Sequence, residues 1–106
     1  MQTWPLWVQD REGRRIYLTE ERWQHALDHP GMSETLLDAV LVTIRTGHRK
    51  QDRYELDKYK YSRAFADLPG GYTHMVVVVK FGWTRKEPNG ENNFVLTAYL
   101  VRKRQR

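Results

Sequence analysis

Cysteine is absent from this 106-residue chain, which removes disulfide staples and thiolate metal sites at once. A chain of this length carries one domain, so stability must come from a single packed core. Long apolar runs are missing too: the longest cover five to eight residues, against the roughly 20 needed to cross a bilayer as a helix. The opening Met-Gln-Thr-Trp-Pro has no basic segment followed by an apolar one, so no secretory leader is expected. There is no Walker loop, no GxGxxG and no Ser/His/Asp signature, and Gly70-Gly71 reads as a turn, not a phosphate cradle. No cofactor and no membrane partner are expected, and a cytoplasmic location fits the missing cysteines.

Negative charge is also in deficit. Lys and Arg number 18 against 13 Asp and Glu, a formal net charge of +5. A small basic domain suits a polyanion, because phosphate contacts dominate nucleic-acid affinity. An acidic protein partner would exploit the same field. What is plentiful is aromatic: four Trp, six Tyr and three Phe can build a core beneath a polar surface.

Two apolar, β-branched runs dominate the C-terminal half, Met75–Phe81 and Asn93–Val101, with a turn-rich loop of residues 82–92 between them. They predict a β-hairpin at the centre of a sheet. Upstream, Trp4–Gln9 and Ile16–Leu18 flank a polar turn containing Gly13, predicting a short hairpin over residues 4–18 or a pair of edge extensions, in which Trp4 and Trp7 cover one end of the core. Thr19 is a good N-cap for a first helix over Glu20–Asp28, which Pro30 and Gly31 end. Ser33 is expected to cap a second helix, with Leu36, Leu37, Val40, Leu41 and Ile44 on one side and Gly47 as its stop. His48–Tyr54 reads as loop, Lys58–Ala64 as a strand and Leu68–Gly71 as a turn. Residues 102–106 form a basic tail. The expected architecture is therefore α+β in ββααβββ order, with two N-terminal helices packed on one face of an antiparallel β-sheet.

Period-2 alternation places Val76, Val78 and Lys80 opposite Met75, Val77, Val79 and Phe81. In the last strand it groups Val95, Thr97, Tyr99 and Val101 against Phe94, Leu96, Ala98 and Leu100. The wholly apolar face should receive the helices, leaving Lys80, Thr97 and Tyr99 together on the open one. The plainer reading of that trio is ordinary polar decoration of a half-exposed sheet. His25 and His29 are four apart, on one side of a helix if the helix persists. The pair lacks the Glu of a zinc-protease motif, so no metal site is expected. Imidazole titrates near neutrality and suits proton transfer, whereas the bland role for His29 is to complement the helix dipole.

Trp23-Gln-His25-Ala-Leu-Asp-His29-Pro30, then an amphipathic helix, a charged segment with Tyr59 and Tyr61, Val76-Val-Val-Val-Lys80 and Phe94-Val-Leu-Thr97-Ala98-Tyr99 together resemble a family of small phage-associated nuclease-like domains. That family is grouped with the barnase/EndoU/colicin/RelE-like ribonuclease superfamily, and the resemblance spans residues 20–101. It implies a single RNase-like domain over residues 1–106, acting as a metal-independent toxin-type endoribonuclease. An acidic antitoxin or immunity protein would be its partner. The reaction would be attack of a ribose 2′-hydroxyl on the adjacent phosphate, needing a base, an acid and donors for the phosphorane charge. On this resemblance His25 is the leading proton-transfer residue and His29 the second, Lys80 neutralises phosphate, and Thr97 and Tyr99 orient it. Arg53, Lys58, Lys60, Tyr61 and Arg102 would extend the RNA track. If both helices cover the apolar face, His25 must reach the site around a sheet edge. The rival expectations are a non-catalytic RNA- or DNA-binding module stacking bases on Tyr59, Tyr61 and Tyr99, and a protein-interaction domain.

Overall fold

A computed structural model describes residues 2–85 and 90–103. The C-terminal part of the basic tail and the tip of the loop after Phe81 lie outside the described residues. The chain is α+β: β1 (Leu6–Gln9), β2 (Arg15–Leu18), α1 (Glu20–Ala26), α2 (Leu37–Thr46), β3 (His48–Gln51), β4 (Lys58–Ala64), β5 (His74–Lys80) and β6 (Asn93–Val101). All six strands form one sheet in the order β1-β2-β6-β5-β4-β3.

Three points differ from the architecture expected above. First, the sheet is mixed. β1 and β2 form the expected antiparallel hairpin, but β2 then pairs parallel to β6 through Ile16↔Asn93 and Tyr17↔Phe94. Second, His48–Gln51 is a strand, antiparallel to β4. Its sequence, His-Arg-Lys-Gln, hides this because an edge strand needs no apolar alternation and charged side chains there discourage further pairing. Third, the helices contact different strands: α2 packs on β5, β4 and β1, while α1 packs on β6, with its Trp23 and Ala26 joining the same buried core as α2. Because β2 accompanies β6 only as far as Phe94, residues 95–101 of β6 have no strand on that side, and α1 packs on β6.

The core lies between the helices, with Trp23 and Ala26 of α1 buried in it, and the sheet face carrying Ile16, Leu18, Tyr61, Met75, Val77, Val79, Val95 and Ala98, all essentially inaccessible. From α2 the residues Leu37, Val40, Thr43 and Ile44 are buried at helical spacing. The buried Thr43 hydroxyl donates to the Ala39 carbonyl of its own helix at 2.7 Å. At the end of α2 the backbone passes so close to β4 that a Cβ on Gly47 would lie 2.7 Å from the Ser62 carbonyl oxygen and 2.5 Å from that of Thr43. Only glycine fits there.

Pairing of β5 with β6 contains an irregularity. Val78 faces Thr97 but Val79 faces Val95, so Leu96 is an extra residue in β6. A one-residue insertion reverses the facing of everything beyond it. Val95 therefore turns into the core beside Val79, and Phe94 turns out beside Lys80. Simple alternation put Val95 with Thr97 and Phe94 with Ala98; the bulge exchanges both.

Tyr61 is fully buried, which removes it from any RNA-binding role. Its hydroxyl donates to Asp10 Oδ2 at 2.5 Å. Asp10, itself 7% exposed, also accepts from the Arg14 guanidinium at 3.0 Å and from the backbone N–H groups of Glu12 and Arg14 at 2.9 Å. Burial works against ionisation of Asp10, but these hydrogen bonds, led by Tyr61, outweigh it and hold the carboxyl below the usual range. Burial, then the bond to Asp10, pushes the Tyr61 phenol far up, so it stays protonated. One buried pair thus ties the β1–β2 turn to the far side of the sheet.

Tyr61→Phe should cost about 1–3 kcal/mol, the range for leaving a buried acceptor short of a donor, read as a lower urea midpoint with unchanged slope. A carboxyl with a depressed folded pKa contributes stability above its unfolded value and loses it as pH falls through the folded value. The stability gap between wild type and Asp10→Asn should therefore be full at neutral pH and shrink below about pH 4.

Candidate functional site on the open sheet face

The face away from α2 can be read row by row from the strand register, since directly paired residues project to the same side. One row runs Trp7, Tyr17, Phe94, Lys80, Lys58 across five strands. The next runs Thr97, Val78, Lys60, Lys50, and the one after it Tyr99, Val76, Ser62, His48. Val101, His74 and Ala64 close the face.

Thr97 and Tyr99 meet a histidine here, and it is His29. Its Nε2 lies 3.1 Å from Thr97 Oγ1, and its ring centroid lies 5.7 Å from that of Tyr99. The local chain explains the placement. Thr19 caps α1 by accepting from the Arg22 N–H at 3.2 Å, and the helix ends at Ala26, two residues sooner than the sequence predicts. Asp28 and His29 then donate to the carbonyls of His25 and Ala26, three residues back, tightening the last turn. Pro30 disfavours helical backbone at His29, so the chain turns away from the helix axis. Gly31 completes the turn at φ +81°, and a Cβ there would fall 2.8 Å from Tyr72 and 3.0 Å from Leu100. Leu100 belongs to the core side of β6 and Thr97 to the open side. The 29–31 turn thus wraps the uncovered edge of β6 and touches both faces.

His25 is placed differently. It is exposed and lines a shallow groove with Glu21, Arg22, Gln24 and Asp28. Its ring meets His29 edge-on at 6.5 Å between centroids. The groove is of mixed charge, with carboxylates at Glu21 and Asp28 and a guanidinium at Arg22. Because His29 lies beyond the end of α1, the pair is not two histidines on one helical face. Among the described residues, no group of three or more His, Cys, Asp or Glu could hold a metal ion.

Lys80 shares the open face but stands beside Phe94, not Thr97, and pairs with Asp57 at 3.6 Å. The row through Thr97 instead carries Lys60 and Lys50, both exposed. Two strand spacings, about 10 Å, separate the backbones of Lys60 and Thr97, a gap that a lysine side chain largely spans. Lys58 is engaged by Glu55 at 2.6 Å. Arg53 is exposed in the β3–β4 loop and lines a groove with Lys50, Asp52, Tyr54 and Lys60.

Neither Arg102 nor Tyr59 is free for RNA in the way expected. Arg102 donates to the Gly70 carbonyl at 2.7 and 3.2 Å and lies over the Tyr72 ring, clamping the 68–71 turn. Tyr59 projects to the core side, with the Arg49 guanidinium over its ring and Phe81 meeting it edge-on. Trp7, expected to cover the core, is 52% exposed on the open face. Ser33 makes no capping bond to α2 and contacts the Thr35 hydroxyl at 2.8 Å instead. His74 gains a partner not visible in the sequence, the Thr73 hydroxyl at 2.8 Å. Burial, and then the Lys103 charge, lower its pKa. Lys50 was missed because it sits in the segment read as loop.

No family model, no curated protein and no solved structure matches the chain. Among the described residues no helix is long and apolar enough to cross a membrane.

Thr97→Val removes the partner of His29 without changing side-chain shape. It should lower stability by about 0.5–1.5 kcal/mol and shift the His29 ring signals in a proton–nitrogen spectrum while leaving those of His74 in place.

Proposed function

We propose that the open face binds RNA and that His29, Thr97 and Tyr99 form a metal-independent endoribonuclease-type site. The observation that carries the reading is the 3.1 Å contact between His29 and Thr97 beside Tyr99, on a sheet face where the row through Thr97 also carries Lys60 and Lys50. Relative to the expectation from sequence, the proton-transfer role moves from His25 to His29. The nearest in-register cation becomes Lys60, with Lys80 one side-chain repeat away, about 7 Å.

The chemistry follows from the inventory of the group. With Nε2 unprotonated, His29 accepts from the Thr97 hydroxyl; with Nε2 protonated it donates to the same oxygen. Either way the ring is oriented before substrate arrives, as a general base must be. A ribose 2′-hydroxyl would give its proton to His29 as the 2′-oxygen–phosphorus bond forms. The phenol of Tyr99 would protonate the 5′-oxygen as its bond to phosphorus breaks. The Thr97 hydroxyl and the Lys60 ammonium would face the negative charge that develops on the phosphorane oxygens. The products would be a 2′,3′-cyclic phosphate and a 5′-hydroxyl.

Purified protein should produce those ends from labelled RNA in the presence of EDTA. His29→Ala should lower the rate at least about 100-fold, the low end for a proton-transfer group, and Thr97→Val by a smaller factor. His25→Ala should change it by less than about fivefold, because the ring acts only through His29. Equal losses for His25→Ala and His29→Ala would overturn the reassignment. Salt-dependent RNA binding without turnover would leave a binding module in place of an enzyme.

A further inference from the structure

Trp7, Tyr17 and Phe94 lie side by side on three neighbouring strands of the open face, with Tyr17 paired to both of the others. Ring centroids are 5.0 Å apart for Trp7 and Tyr17 and 5.9 Å apart for Tyr17 and Phe94. The Tyr17 hydroxyl donates to Asn92 Oδ1 at 2.7 Å, which fixes the tilt of the central ring. Arg15 lies over Trp7 at 4.7 Å. The same row continues, still in register, into Lys80 and Lys58. A row that is aromatic at one end and cationic at the other has little to offer an apolar protein surface. It matches a ligand whose flat apolar groups alternate with negative charge.

We propose that this row is a stacking platform for unpaired bases of single-stranded RNA, with the adjoining phosphates held by Arg15 and Lys80. The inference rests on the RNA reading of the same face and narrows it to a substrate class. Three rings across three strands span about 10 Å, room for two or three bases, as on other sheets that stack RNA on aromatic side chains. Every base has a π-face, so the platform tolerates sequence. A duplex keeps those faces in its own stack and would meet only the cations. The Lys80–Asp57 contact does not hold Lys80 back: both side chains are nearly half exposed, and exposed pairs contribute little.

The test uses the full chain and a fluorescent octanucleotide RNA, 2′-O-methylated throughout so that no cleavage can occur. Affinity for the single strand should exceed that for its duplex at least tenfold. Trp7→Ala should weaken single-strand binding about five- to tenfold, the lower range for losing one base–aromatic stack, with the salt dependence unchanged. Trp7→Phe should recover most of the loss. Trp7→Leu, which keeps apolar bulk without a stacking ring, should behave like Trp7→Ala and covers the case in which the alanine variant fails to fold. Lys80→Ala should instead lower the slope of log affinity against log salt by about 0.7, one phosphate contact on a single strand. Wild-type affinity in folded Trp7→Leu, duplex binding as tight as single-strand binding, or tighter binding of the matching DNA strand would each overturn the proposal. Cleavage of unmodified RNA, assayed separately, bears on the His29 site: single-strand binding lost in Trp7→Leu without turnover supports the platform and overturns the enzyme, whereas cleavage with wild-type affinity in Trp7→Leu does the reverse.

Discussion

Pairing of β5 with β6, with Leu96 as its extra residue, is the constraint on which the candidate site depends. Strand side chains alternate with a period of two, so a single added residue decides which neighbours point inward. With it, Val95 fills the core beside Val79 while Thr97 and Tyr99 stay outward, and Phe94 joins Tyr17 and Lys80 on the open face. Without it, either Thr97 and Tyr99 would face α2, or Val95 would face solvent and Phe94 the core. The hydroxyl pair and the aromatic row coexist on one surface only because the strand carries the bulge.

The second determinant is the sheet edge left uncovered beyond Phe94. α1 packs there, and the Pro30–Gly31 turn brings His29 onto the open face while Gly31 stays against Leu100. The histidine is therefore held from two directions: by the end of a capped helix, and by a turn that tolerates no Cβ. His25, one turn earlier on the solvent side, sits among Glu21 and Asp28. Two imidazoles four residues apart thus occupy different surroundings, an exposed groove of mixed charge and a sheet face beside Thr97 and Tyr99.

Charge in the molecule is sorted in the same way. The one deeply buried carboxylate among the described residues, Asp10, has hydrogen bonds from Tyr61, Arg14 and two backbone N–H groups, and joins hairpin to sheet. On the core side Arg49 stacks on Tyr59, and at the turn Arg102 stacks on Tyr72. Other cations stand on the open face and its rim, among them Lys50, Lys60, Lys80 and Arg53. Net charge by itself does not separate these two groups. Their stacking and hydrogen-bond partners do.

Local chemistry was enough to determine the hairpin of the first 18 residues, Thr19 as a cap, the apolar stripe of α2, the boundaries of β4 and the outward facing of Thr97, Tyr99 and Lys80. Each follows from spacing, capping or a turn residue within a few positions. Tertiary structure decided the rest. β3 escaped notice because an edge strand needs no apolar pattern. The parallel pairing of β2 with β6 joins segments some 77 positions apart, and no local pattern encodes it. Whether Tyr61 was a ligand-facing ring or a core donor depended on Asp10, 51 residues away. The choice between His25 and His29 depended on where α1 stopped and which edge of the sheet was left open beside it. Sequence placed a histidine near the threonine; only the packing of that edge settled which one.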